Sequence, residues 1–116
     1  MSAAGAPLDA EAALRALAHP RRRRMLALVS AAPRASGELA DACGWTRPAT
    51  SQHLKVLRDA GLVEVRKDGN RRLYRAREAS LAQLRAFLND FWAARLGELD
   101  EQLRRTDPHG EGGRPG

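Results

Sequence analysis

The stretch SGELADACGWTRPATSQHLKVLRDAGLVEVRKDGNRRLY (36–74) decides the fold. Its first part suits a short helix, Ser36 to Ala42, with Ser36 as N-cap and Leu39 turned inward. Gly44 supplies the positive φ that ends such a helix. Thr46 is then a second N-cap, and Pro48 fits the first turn of a helix that reaches about Ala60, where Gly61 stops it. Two helices joined by a short turn containing Gly form a helix-turn-helix. Leu62 to Lys67 follows as a strand, with Val63 and Val65 on one face and Glu64 and Arg66 on the other. Asp68-Gly69 signals a tight hairpin turn, and Arg71 to Ala76 returns as the second strand.

Upstream, Leu8 to Ala18 predicts a first helix with Ala13, Leu14 and Leu17 as its apolar stripe. His19 sits where an N-cap belongs, and Pro20 opens a second helix that carries Met25, Leu26, Leu28 and Val29 and stops near Ala32-Pro33. Downstream, Ser80 to Arg105 predicts a long amphipathic helix striped by Leu81, Leu84, Leu88, Phe91, Trp92, Leu96, Leu99 and Leu103. Such a helix is roughly 35–40 Å long at about 1.5 Å per residue. It carries more apolar surface than a four-helix head can cover, and a twofold mate would bury the surplus. Residues 1–7 and 106–116 read as flexible tails around one domain, 8–105, whose last helix (80–105) serves dimerisation. The fold class is mostly α with one small β-hairpin.

The chain has 116 residues, enough for one core and little room for a deep substrate pocket. The opening residues lack the basic start and apolar run of a signal peptide, and no stretch approaches the roughly 20 apolar residues of a membrane span. One cysteine, Cys43, cannot form an internal disulfide and fits a reducing cytoplasm. The placement of the net charge of +6 is more telling than its size. Residues 47–77 hold nine basic and three acidic side chains, so this segment carries the whole excess and the rest of the chain balances. A basic excess confined to one segment is the footprint of a polyanion site.

The helix from Thr46 has the two unlike faces that a major groove demands. Thr50, Leu54 and Leu57 recur at spacings of four and three and face the core, while Arg47, Ser51, Lys55 and Arg58 share the opposite stripe with Gln52 beside them. N-terminal residues of a recognition helix reach the bases, so Arg47, Ser51 and Gln52 are the expected base readers. Lys55 and Arg58 lie farther along and are expected at phosphates. Arg66, Lys67, Arg71 and Arg72 cluster about the hairpin tip, where they suit phosphates or a narrow minor groove. Arg21 to Arg24 sit poorly at the positive end of a helix dipole, so they point to phosphate contact or to a solvated face.

An enzyme needs a nucleophile with a base, a carboxylate pair or a metal site. Ser51 and His53 are two residues apart on one helix and do not face each other, so no catalytic residue is assigned and no cofactor is implied. His53 falls between the core and DNA faces. Cys43 reads as a small buried hydrophobe, and Trp45 as a plug between the two helices of the motif. Phe87, Phe91 and Trp92 suit either a dimer core or the lining of a ligand cavity.

Residues 17–103 resemble the ArsR/SmtB family of winged helix-turn-helix repressors. The resemblance rests on ALAHPRRRRMLALV (16–29), on the 36–74 stretch and on the long helix after it. It implies a homodimer joined through the first and last helices, with Leu14, Leu84, Leu88, Phe91, Trp92, Leu96 and Leu99 at the interface. It further implies double-stranded DNA as partner and repression at an inverted-repeat operator, its own promoter among the candidates. The family's arsenic-type cysteines fall on Ala40 and Ala42, and Cys43 is one residue out of register. The family's zinc-type site needs Asp and His on the last helix, which has no His between Ser80 and Arg105. No metal site is therefore expected. Control by a non-metal small molecule or a partner, and sequence-blind DNA binding, stand as alternatives.

Overall fold

The computed structural model describes residues 8–106. The expected tails lie outside them, apart from Thr106, which closes the last helix. The element order is α1 (Ala10–Ala16), α2 (Pro20–Ala31), α3 (Ser36–Cys43), α4 (Arg47–Asp59), β1 (Val63–Asp68), β2 (Arg71–Ala76) and α5 (Glu78–Thr106). This is the winged helix-turn-helix order. The chain divides into two compact units, 1–84 and 85–116.

In the first unit, α1 is shorter than its apolar pattern suggests because both ends are fixed by side chains. The Asp9 carboxylate accepts from the Ala12 N–H at 3.2 Å. At the other end Arg22 Nε donates to the Ala16 carbonyl at 2.6 Å, and Arg23 Nη1 donates to that of Leu17 at 2.9 Å. Cations at the carbonyl end of a helix satisfy its orphan acceptors. The arginine run that sits badly on its own helix therefore closes the preceding one. His19 caps α2, its Nδ1 accepting from the Arg21 N–H at 3.2 Å.

Two expectations are corrected in the middle of the chain. The cap of α3 is Ala35, not Ser36. Alanine has no side-chain acceptor, so the reciprocal half of a capping box does the work: Glu38 Oε1 accepts from the Ala35 N–H at 2.8 Å. The hairpin loop is Gly69-Asn70, not Asp68-Gly69, because Asp68 pairs with Arg71 across the ladder. A loop on Asp68-Gly69 would need positive φ at Asp68. The chain instead puts Gly69 (φ +65°) at the first loop position, and no non-glycine among the described residues takes positive φ. β1 accordingly runs one residue later than expected.

The core of this unit is Met25, Val29, Leu39, Thr50, Leu54, Leu57 and Leu62. The buried Thr50 hydroxyl donates to the Thr46 carbonyl at 2.8 Å, so its polarity is satisfied inside the helix. The wing's base is fastened by an unexpected bridge: Arg34 and Tyr74 exchange both backbone hydrogen bonds, at 2.9 and 2.7 Å. Leu84 is only 6 % exposed and belongs to this core, so it has little surface left for the interface expected of it. Leu14 on α1 points outward.

In the second unit the helix shows a run of exposed apolar residues: Phe87, Phe91, Trp92, Leu96, Leu99 and Leu103. Leu88 is half-buried. Phe91 meets Trp92 edge-on at 5.3 Å, and the Arg95 guanidinium lies 4.7 Å over the Phe91 ring.

Candidate nucleic-acid interface

The site begins with the turn between α3 and α4. Gly44 takes φ +70°, the left-handed conformation that ends α3 without strain, and its N–H returns to the Ala40 carbonyl. Thr46 Oγ1 then accepts from the Ala49 N–H at 3.2 Å and starts α4. Trp45, half-buried, fills the corner. Its ring lies under the Arg21 guanidinium at 5.4 Å and meets His53 edge-on at 6.4 Å. Arg21, Arg22 and Arg23 are thus all engaged within the protein.

α4 has the two faces expected of it. Thr50, Leu54 and Leu57 are buried, while Arg47, Ser51, Gln52, Lys55 and Arg58 are exposed. Arg47 rests on Gly37 of α3, where a Cβ would come within 3.0 Å of its Nη1. That glycine leaves room for a long side chain to lie against the motif's first helix. Lys55 Nζ is paired with Asp59 Oδ2 at 2.9 Å, one turn away.

His53 lies on the boundary of the two faces. Its ring is 4.6 Å from that of His19, and its Nδ1 lies 3.5 Å from Arg22 Nη1. Burial holds its pKa below the ordinary histidine value, and the neighbouring positive charges of His19, Arg22 and Arg21 lower it further.

The wing carries the other cations. Arg66, Lys67, Arg71 and Arg72 are exposed about the Gly69-Asn70 tip. Lys67 and Arg72 are direct cross-strand partners. Like charges in that position repel and weaken a hairpin. Arg58, Arg66, Lys67 and Arg72 take part in no ion pair among the described residues. Arg71 differs, because its Nη2 donates to Glu38 Oε2 at 2.9 Å. Farther down, Arg75 pairs with Glu64 at 2.6 Å and is half-buried. Between wing tip and motif runs an open groove of about 630 Å³, lined by residues that include Gly37, Asp41, Arg47 and Arg72.

The sequence reasoning missed Glu38, Arg34 and the Arg21–Trp45 contact. Only Glu38 left a sequence signal: a glutamate three positions after a helix cap marks a capping box, once the cap is moved to Ala35.

Residues 17–66 match the family model described as a helix-turn-helix domain. The HTH-type transcriptional regulator Rv2034 of Mycobacterium tuberculosis is 45% identical over 84 residues, covering 72% of this chain and 78% of that protein. A biofilm growth-associated repressor of Xylella fastidiosa is 38% identical over 71 residues, 61% of this chain and 62% of the relative. Among solved structures, one described as a possible transcriptional regulator for arsenical resistance matches with TM-score 0.64 and 43% identity, over 77% of this chain and 93% of that one. The homodimeric winged helix-turn-helix domain Mb0332 of Mycobacterium bovis, a possible ArsR-family regulator, matches with TM-score 0.60 and 32% identity, over 72% and 77%.

The chain belongs to the ArsR family. It is a DNA-binding transcriptional regulator and not an enzyme. In this ArsR-family regulator the positions of the arsenic-type cysteines lie on α3 as Ala40, which is buried, and Ala42, which is exposed. Cys43, expected to be buried, is half-buried at the helix end. Among the described residues, no three His, Cys, Asp or Glu side chains stand together in a way that could hold a metal ion. No helix among them is long and apolar enough to cross a membrane.

Proposed function

We propose that this ArsR-family protein is a homodimeric repressor that binds an inverted-repeat operator, its own promoter among the candidates, in the bacterial cytoplasm. Each copy sets α4 into a major groove, and the two copies serve half-sites about 34 Å apart. Arg47, Ser51 and Gln52 stand at the end of α4 that reaches base edges. Arg pairs with guanine O6/N7 and Gln with adenine N6/N7. Lys55 and Arg58 on α4 contact phosphates, as do Arg66, Lys67 and Arg72 on the wing. Repression is the role named for the Xylella relative, and the exposed apolar run on α5 supports the dimer.

One observation carries the reading. Lys67 and Arg72 face each other across the hairpin with no ion-pair partner among the described residues, and the polar face of α4 is exposed. Such an arrangement costs stability in the free protein and is relieved by a polyanion.

The test is affinity for the protein's own upstream region against random duplex, at several salt concentrations. The operator is expected to bind far more tightly, with affinity falling steeply as salt rises. Gln52→Ala relaxes sequence preference, and Lys55→Ala weakens binding to every sequence alike. Equal affinity of the wild type for both duplexes would favour sequence-blind binding instead.

A further inference from the structure

One carboxylate joins the wing to the helix-turn-helix. Glu38 uses Oε1 to accept the Ala35 N–H at 2.8 Å and Oε2 to accept Arg71 Nη2 at 2.9 Å, across 33 residues of chain. The Ala35 N–H first, and then the Arg71 guanidinium, hold its pKa below the ordinary glutamate value, so it is charged at neutral pH. The hairpin's base is fastened by the Arg34–Tyr74 bridge. Among the described residues no other hydrogen bond or ion pair ties residues 67–72 to the helices.

We infer that Arg71 is a tether and not a phosphate contact: Glu38 keeps it while DNA is bound and thereby presets the wing tip against α3. This rests on the wing docking proposed above. Three arguments lead to it. A two-stranded hairpin held only at its base is marginal and samples many tip positions. A tip fixed in advance spares that ordering cost on binding. Moving Arg71 to a phosphate would exchange one charge-assisted hydrogen bond for another, and would leave the Glu38 carboxylate without its guanidinium partner beside a polyanion. Meanwhile Arg66, Lys67 and Arg72, which have no ion pair among the described residues, can meet phosphates without first breaking one. Glu38 is on this account a positioning residue, acting through Arg71.

Salt dependence separates a tether from a contact. Each phosphate contact contributes about 0.9 to the slope of log affinity against log salt, whereas a cation that stays paired within the protein in the complex contributes none. The variants Arg72→Gln, Arg71→Gln and Glu38→Gln all alter exposed side chains. Gln at position 38 can still accept the Ala35 N–H but turns an amide N–H₂ toward Arg71. On operator duplex, Arg72→Gln is expected to flatten the slope by about 0.9. Arg71→Gln leaves the slope unchanged and weakens binding by about two- to fivefold, the range for an exposed ion pair. Glu38→Gln frees Arg71 for a phosphate, steepens the slope by about 0.9 and tightens binding to random duplex. Arg71→Gln flattening the slope as much as Arg72→Gln would overturn the inference, as would a slope indifferent to Glu38→Gln. A slope that ignores Arg72→Gln would instead remove the wing docking beneath it, a result distinct from either.

Discussion

Replacing Trp92 with alanine tests the dimer most directly, and its effect can be sized in advance. Trp92 is 55 % exposed in the single chain. An aromatic side chain of this class buries about 200 Å², so about 110 Å² awaits a partner. At about 25 cal/mol per Å² that area is worth roughly 3 kcal/mol. A twofold interface contains every residue twice, which raises the ceiling to roughly 6 kcal/mol. Alanine keeps part of the area and burial is rarely complete, so about half of that figure, roughly 3 kcal/mol, is the expected loss. The dimer Kd should then rise by about 100-fold. Sedimentation equilibrium over a dilution series reads the Kd. Circular dichroism verifies that the helix content is kept, and Arg58→Ala on the opposite function serves as control. Binding to a single half-site should survive while the advantage of the full inverted repeat is lost. If Trp92→Ala kept the wild-type Kd within twofold, the exposed run on α5 would not be the dimer face.

Two further outcomes follow from single residues. Gly44 has φ +70° and open space where a Cβ would stand, so Gly44→Ala carries only the cost of a left-handed alanine, about 1 kcal/mol. Thermal unfolding should show a drop of about 4–8 °C, and a much larger loss would mean that packing, not backbone conformation, holds the turn. His53 has its pKa lowered by burial and by the charges of His19, Arg22 and Arg21. The native state therefore binds fewer protons than the unfolded chain just below pH ~6.5, and stability rises with pH there. That contribution is fully present above pH ~6.5 and is lost as pH falls through the lowered native value. His53→Gln should shrink the gap between urea midpoints measured at pH 7.5 and at pH 5.5, and an unchanged gap would assign the acid sensitivity to other groups.

The elements of the head were legible because they are coded locally. Thr46, Pro48 and the 50, 54, 57 spacing define α4 within one stretch, and the buried set matches that spacing residue for residue. The failures are of two kinds. Ser36 and Asp68-Gly69 were one residue out, because a good capping or turn residue does not say which neighbour will use it. At α3 the glutamate at position 38 outweighed the serine, and at the hairpin the avoidance of positive φ at Asp68 fixed the register. The second kind is contact across the chain. Nothing along the sequence announces that Arg71 will meet Glu38, that Arg34 will bridge Tyr74, or that Leu84 will be covered within its own chain.

The same distinction changes what the charge excess means. Counted along the chain, residues 47–77 offer nine cations to a polyanion. In space they differ in availability. Arg75 is held by Glu64 within the hairpin, Arg71 by Glu38 at its tip, and Lys55 by Asp59 on the helix surface. Lys55 is one helical turn from its acid in an exposed pair, the weakest kind, and a phosphate can take it over at little cost. Arg75 is half-buried, and its departure would strand Glu64 beside the wing's base. Arg58, Arg66, Lys67 and Arg72 have no ion pair among the described residues to release. They fall in two places, one late on α4 and one around the tip of the wing. On the docking proposed above, a rod of phosphates touched at these two places, with Arg47, Ser51 and Gln52 presented at the near end of α4, would be fixed in register before any base is read. In that docking the cations without an ion pair among the described residues set where the protein sits, and Arg71 and Arg75, held by Glu38 and Glu64, keep the wing in place.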